Sequence, residues 1–132
     1  MDRAELLQKI DATYEARARN DKEGVAEILA PGARYRLVGD TEMLSDFPTE
    51  AQEAQTAIST LIDRVKFENY ERRGAVVEGN TAAIYWQVTL SVDGKPPVTT
   101  EFCDLWEFDE HGKASSLLQF IDTALLQNLL KA

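Results

Sequence analysis

FCDLWEFDEHGK, residues 102–113, decides how this sequence is read, because it places one acid inside an aromatic β-strand. With strict alternation, Phe102, Asp104, Trp106 and Phe108 share one face of the strand, while Cys103 and Glu107 take the other. An unpaired buried carboxylate is costly. Asp104 must therefore be hydrogen-bonded, neutralised by a raised pKa, or kept wet in a cavity. A strand with three rings and one acid on its inner face thus predicts a sheet that walls a pocket.

Upstream of this strand, TAAIYWQVTLSVDG alternates Ala82, Ile84, Trp86, Val88 and Leu90 against Ala83, Tyr85, Gln87 and Thr89. It meets KFENYERRGAVVEG at the turn pair Gly79-Asn80, and DGKPP at 93–97 marks the next connection. Downstream, DEHG turns the chain into KASSLLQFID, the last strand. TALLQNLLKA follows, an apolar tail that is either helical or irregular. The second half is therefore an antiparallel meander.

The first half is helical. Leu6, Leu7, Ile10, Tyr14 and Ala18 form a stripe over residues 2–20, with Asp2 as N-cap. A short second helix is expected from Asp21 with Val25, Ile28 and Leu29 on it, ended by the Ala-Pro-Gly at 30–32. ARYRLVG then reads as a first strand, and the polar stretch at 39–48 as a flap. Thr49 and Gln52 resemble a capping box for a third helix that carries Ala54, Ile58, Leu61, Ile62 and Val65. Helices first and strands later indicate one α+β domain over residues 1–132, with helices covering one face of a curved antiparallel sheet.

Composition narrows the partners. A formal net charge of −9 disfavours nucleic acid and anionic membranes, which reward a basic face. One cysteine permits no intramolecular disulfide, no apolar run is long enough to cross a bilayer, and the charged amino terminus carries no signal-like segment. The expectation is a cytoplasmic protein without metal or cofactor. Because both faces of the long strands are partly apolar, a homodimer through the sheet is expected as well.

YEARARNDKEGVAEILAPGARYRLVG and DLWEFDEHGKASSLLQFID, in this order, resemble the nuclear transport factor 2-like superfamily, specifically its SnoaL-like and ketosteroid-isomerase-like branch. The resemblance covers nearly the whole chain. It implies a cone-shaped, cystatin-like sheet with three helices packed on its concave face and an apolar pocket between the two layers. Function does not follow from it, since the family spans isomerases, dehydratases, cyclases, epoxide hydrolases and binding modules.

Position by position, Asp104 matches the place where ketosteroid isomerases keep a protonated aspartic acid as hydrogen-bond donor. Trp106 and Phe108 match aromatic pocket positions beside it. The oxyanion-hole tyrosine of those enzymes would fall at Thr13, one residue from Tyr14, and their general base at Leu37, so true ketosteroid isomerase chemistry is disfavoured. Asp122 matches an acid or base of SnoaL-type cyclases and limonene-epoxide-hydrolase-like enzymes; capping the tail helix is the competing reading. The arginine that those hydrolases place two residues before their strand aspartate is Phe102 here. The only histidine, His111, lies in a turn, where the dehydratases' chemistry would not find it.

The candidate catalytic residues are accordingly Asp104, Asp122 and Tyr14. The candidate ligand contacts are Tyr35, Trp86, Phe102, Trp106, Phe108, Leu117 and Gln119, with Gln119 either orienting a ligand carbonyl or serving a structural partner. The reading is a protein that binds a small apolar carbonyl compound, cyclic ones included, with cofactor-free acid-base chemistry of isomerase, cyclase or hydrolase type. A non-catalytic ligand-binding or dimerisation module is the alternative, and whether the protein is an enzyme stays open.

Overall fold

The computed structural model describes residues 1–39, 50–51 and 53–131. Along the chain run α1 (Arg3–Ala18), α2 (Lys22–Ala26), β1 (Leu29–Val38), β2 (Glu50–Ala51), α3 (Ala54–Arg64) and β3 (Lys66–Glu78). They are followed by β4 (Thr81–Ser91), β5 (Val98–Phe108), β6 (Ala114–Ile121) and α4 (Thr123–Leu130). The protein is an α+β cone: a curved, unclosed sheet of strand order β2-β1-β6-β5-β4-β3, with helices over its concave face.

Local chemistry sets the helix starts. The Asp2 side chain accepts from the Glu5 amide at 2.8 Å, Asp21 from Gly24 at 3.0 Å, and Asp122 from Leu125 at 3.1 Å. On α1 the buried stripe comprises Leu6, Leu7, Ile10, Thr13, Tyr14, Ala16 and Arg17. The apolar tail expected after Asp122 is helical, burying Leu126 and Leu129.

The meander β3–β6 is antiparallel throughout, and its alternation holds: Ala82, Ile84, Trp86, Val88 and Leu90 of β4 face inward with Phe102, Asp104, Trp106 and Phe108 of β5. Gly79, at φ 58°, turns β3 into β4 beside Asn80, whose side-chain amide donates to the Phe108 carbonyl at 2.8 Å.

The start of the sheet departs from expectation. α2 stops at Ala26, and Leu29 already belongs to β1, which begins four residues earlier than ARYRLVG implied. Pro31-Gly32 do not terminate a helix but sit in an irregularity of β1, with Gly32 at φ 74°, and proline is tolerated there because the ladder is interrupted. β1 runs parallel to β6, pairing Tyr35 with Leu117 and Leu37 with Gln119, so the sheet is mixed rather than wholly antiparallel. A parallel pair needs a long connection and leaves no hairpin signature in the sequence.

The third helix is shorter than expected. It begins at Ala54, with Glu53 at the N-cap making no side-chain cap bond, while Glu50–Ala51 pair with β1 as β2. Thr49 and Gln52, read as a capping box, lie outside the described residues, as does the expected flap from residue 40 onward.

Candidate functional site

Between the concave sheet face and the helices lies a cavity of about 70 Å³. A single water needs only about 10–15 Å³ on this measure, so the space has room for several. Its wall is mostly apolar, with Val25, Ile58, Leu61, Val65, Phe67, Leu90, Phe102, Trp106, Leu117, Ile121 and Leu126. The polar contributions among the described residues come from Thr13, Tyr14, Arg17, Tyr35 and Gln119.

Each polar group is placed by its element. Thr13, Tyr14 and Arg17 belong to the inward stripe of α1, where residues three and four apart share a face. Tyr14 stacks on Trp86 with ring centroids 4.1 Å apart and packs edge-on against Trp106 at 6.3 Å. Tyr35 points inward from β1, and its hydroxyl donates to Oε1 of Gln119 on the neighbouring β6 at 3.0 Å. This bond ties the two parallel strands together under the cavity. Burial pushes the Tyr35 phenol well up, so it is a donor at neutral pH.

Arg17 is 8% exposed and carries the cavity's one charge among the described wall residues. Its Nη2 donates to the Val65 carbonyl at 2.7 Å and more distantly to that of Leu61 at 3.4 Å, and its guanidinium lies 4.2 Å over the Phe67 ring. Nη1 is buried without a partner. Burial lowers its pKa to about 10, which still leaves it fully charged at neutral pH.

Asp104 is completely buried and shares the inner face with the rings, as its spacing implied. Burial raises its pKa well above the carboxylate range; Gln119, opposite it in the β5–β6 ladder, has the smaller opposing effect. No hydrogen bond of ordinary length and angle reaches either carboxyl oxygen, and the indole N–H groups of Trp86 and Trp106 are likewise unpartnered. A carboxyl group kept neutral in this way can donate a hydrogen bond. It does not line the cavity, however; its ladder neighbour Gln119 does.

The sequence-derived candidates therefore divide. Tyr14, Tyr35, Phe102, Trp106, Leu117 and Gln119 meet at the cavity. Trp86 and Phe108 are core residues off its wall, although Trp86 braces Tyr14. Asp122 is corrected outright as a pocket residue: it is exposed, and its carboxylate is engaged as the N-cap of α4. Thr13 donates to the Lys9 carbonyl at 2.8 Å within its own helix, and Leu37 is a buried core residue, so neither position supplies isomerase chemistry.

Arg17 is the functional candidate that sequence reading missed. The signal was its position, three residues after Tyr14 and seven after Ile10 on the buried stripe. Cys103 lies on the outer face with its thiol pKa raised by burial, and His111 is an exposed turn residue near Glu110. Among the described residues no cluster of histidine, cysteine and acids has the makings of a metal site, and no helix is long and apolar enough to cross a membrane.

Compared with known proteins, the chain matches the model of the SnoaL-like domain over residues 10–117. It is similar to an NTF2-like protein of unknown function from Burkholderia pseudomallei K96243, with TM-score 0.77, 20% identity, and 96% of this chain and 98% of that one covered. An LEH-like epoxide hydrolase from M. tuberculosis gives TM-score 0.72 at 18% identity, covering 97% and 91%. TerC co-crystallized with polyporic acid gives 0.74 at 16%, covering 96% and 98%. These identities are low enough that the structural likenesses establish fold alone. Comparison with curated sequences gives no match.

Proposed function

The chain belongs to the SnoaL-like domain family, and from that premise we propose that its cavity binds a small, largely apolar carbonyl compound with a cyclic skeleton. The observation that carries this is the convergence of Tyr14, Tyr35 and Gln119 on a largely apolar cavity. Binding sites of this kind combine apolar walls with a few placed polar groups that orient the ligand. The rings of Phe102 and Trp106 supply flat contact for a cyclic body, and a tyrosine hydroxyl or the Gln119 amide supplies a hydrogen bond to its oxygen.

A second reading, cofactor-free acid-base catalysis, is favoured by one observation. Asp104 is a fully buried acid, its pKa raised by burial, on the same sheet face and paired with Gln119 in the β5–β6 ladder. In that reading Asp104, which lies off the wall, acts through its ladder partner Gln119, and Gln119 with Tyr14 meets the developing negative charge on the ligand oxygen. Such a positioned acid is worth about 100- to 10,000-fold in rate. Asp122 takes no part, being engaged at the start of α4.

One experiment separates the readings. Cyclohexenone, 2-decalone and related cyclic ketones are titrated in D₂O, with deuterium uptake at the carbon next to the carbonyl followed by NMR. Binding with exchange above buffer, abolished in Asp104→Asn, supports catalysis; binding without exchange supports the non-catalytic module. Absence of binding across the panel refutes a cyclic ketone as the ligand.

The homodimer belongs to the same proposal. On the outer sheet face Val76, Ala83, Leu105 and Leu118 fall in one row across four strands, with Tyr85, Cys103 and Phe120 in the row beside it. Val76, Tyr85 and Phe120 are 68%, 42% and 43% exposed, a continuous apolar stripe of the kind that marks an interface.

A further inference from the structure

We propose that the ligand of this cavity is an organic monoanion, a carboxylate in the simplest case, whose charge is held by Arg17. The inference rests on the cavity being a binding site, and it specifies the charge that the apolar wall leaves open.

Arg17 is nine-tenths buried, yet its bonding is incomplete. Nη2 is used on the carbonyls of Val65 and Leu61 at the end of α3, and the flat face of the guanidinium lies on Phe67. Those partners are all neutral. They fasten α1 to α3, but they do not neutralise a cation, and they leave Nη1 buried without a hydrogen-bond partner among the described residues. Buried charges are normally paired, and a buried donor without an acceptor is unfavourable.

Among the described residues the wall holds no counter-ion. Among the described residues that line the cavity none is acidic, Tyr35 is a protonated phenol, and Asp104 is off the wall. If fastening two helices were the whole role of Arg17, Nη2 alone would perform it, and an uncharged donor would serve better in an apolar setting. The remaining N–H groups suit a carboxylate, because charge-assisted bonds from arginine are the strong ones. With its carboxylate against the Arg17 side chain at the cavity wall, the ligand's apolar body lies against Phe102, Trp106 and Leu117. The formal charge of −9 on the whole chain opposes anions at long range, so the selectivity is local to this site.

The test is calorimetric titration of benzoate, phenylacetate and 2-naphthoate at neutral pH, each against the carboxamide of the same skeleton. Wild type, Arg17→Lys and Arg17→Gln are compared. Wild type should bind the carboxylates about 10- to 100-fold more tightly than the carboxamides. Arg17→Gln should bring the two to within about twofold of each other, and Arg17→Lys should keep part of the preference. Equal binding of both classes by wild type overturns the anion while the cavity reading stands. A preference that survives Arg17→Gln overturns the role of Arg17. If neither class binds and the cyclic ketones also fail, the cavity reading falls and takes this inference with it. Should Arg17→Gln fail to fold, judged by circular dichroism, the wild-type ratio and Arg17→Lys decide.

Discussion

Replacing Asp104 by Asn should flatten one component of the protein's pH-stability profile. In the unfolded chain this acid releases its proton near pH 4, whereas complete burial keeps the folded-state carboxyl protonated well above that. Over the interval between the two pKa values the folded protein binds one more proton than the unfolded chain. Raising the pH therefore favours unfolding, by about 1.4 kcal/mol per pH unit for one group. Asp63 and Asp109, whose pKa values are lowered, act in the opposite sense: their stabilisation is present above the unfolded carboxylate pKa and is lost on acidification. Both proteins contain those groups, so the difference between them isolates Asp104. The assay is urea unfolding of wild type and Asp104→Asn at half-unit intervals from pH 5 to 8. Wild type should lose stability relative to the variant as pH rises. A flat difference curve would mean that the carboxyl is already ionised in the folded protein, and the account of its burial would be wrong.

Removing the cap of α4 with Asp122→Ala should lower stability by about 0.5–2 kcal/mol in urea unfolding and leave ligand affinity unchanged; an altered affinity would return Asp122 to the site. In Gly24→Ala the new Cβ would lie 2.6 Å from Asp21 Oδ2 and 2.8 Å from the Ala16 Cβ. That crowding should destabilise the α1–α2 turn by about 1–3 kcal/mol, read from chemical denaturation, and an unchanged midpoint would contradict the close approach. On the outer face, Tyr85→Glu with Phe120→Glu should convert a dimer to a monomer in light scattering after gel filtration, and a monomeric wild type at tens of micromolar would end the dimer proposal.

What could be read from sequence follows from the range of each signal. The stripe of α1 and the alternation of β4 and β5 are periodic over ten residues or more, so their buried faces were legible, Asp104 included. The start of β1 was not, because Pro31-Gly32 read locally as a helix stop, whereas the strand tolerates them at an irregularity. The parallel pairing of β1 with β6 depends on residues far apart and leaves no local trace. At the site, Tyr14, Phe102 and Gln119 were found through face and residue type. Arg17 escaped because an arginine on a charged helix reads as solvated surface, although position 17 continues the stripe that buries Tyr14. Asp122 stood between two readings, and the bond to Leu125 decides for the cap.

The parallel pairing of β1 with β6 also bears on the order in which the molecule assembles. The meander β3–β6 closes by short connections, but the Tyr35–Gln119 bond joins residues 84 apart. Loop-closure entropy makes such a contact late unless much of the chain is already in place. On its β6 side the first strand therefore has no partner until the last strand has been synthesised, and the cavity wall that the two share forms late in folding. Substitutions in β1 should accordingly accelerate unfolding while scarcely changing the refolding rate, which stopped-flow measurements on Tyr35→Phe would reveal.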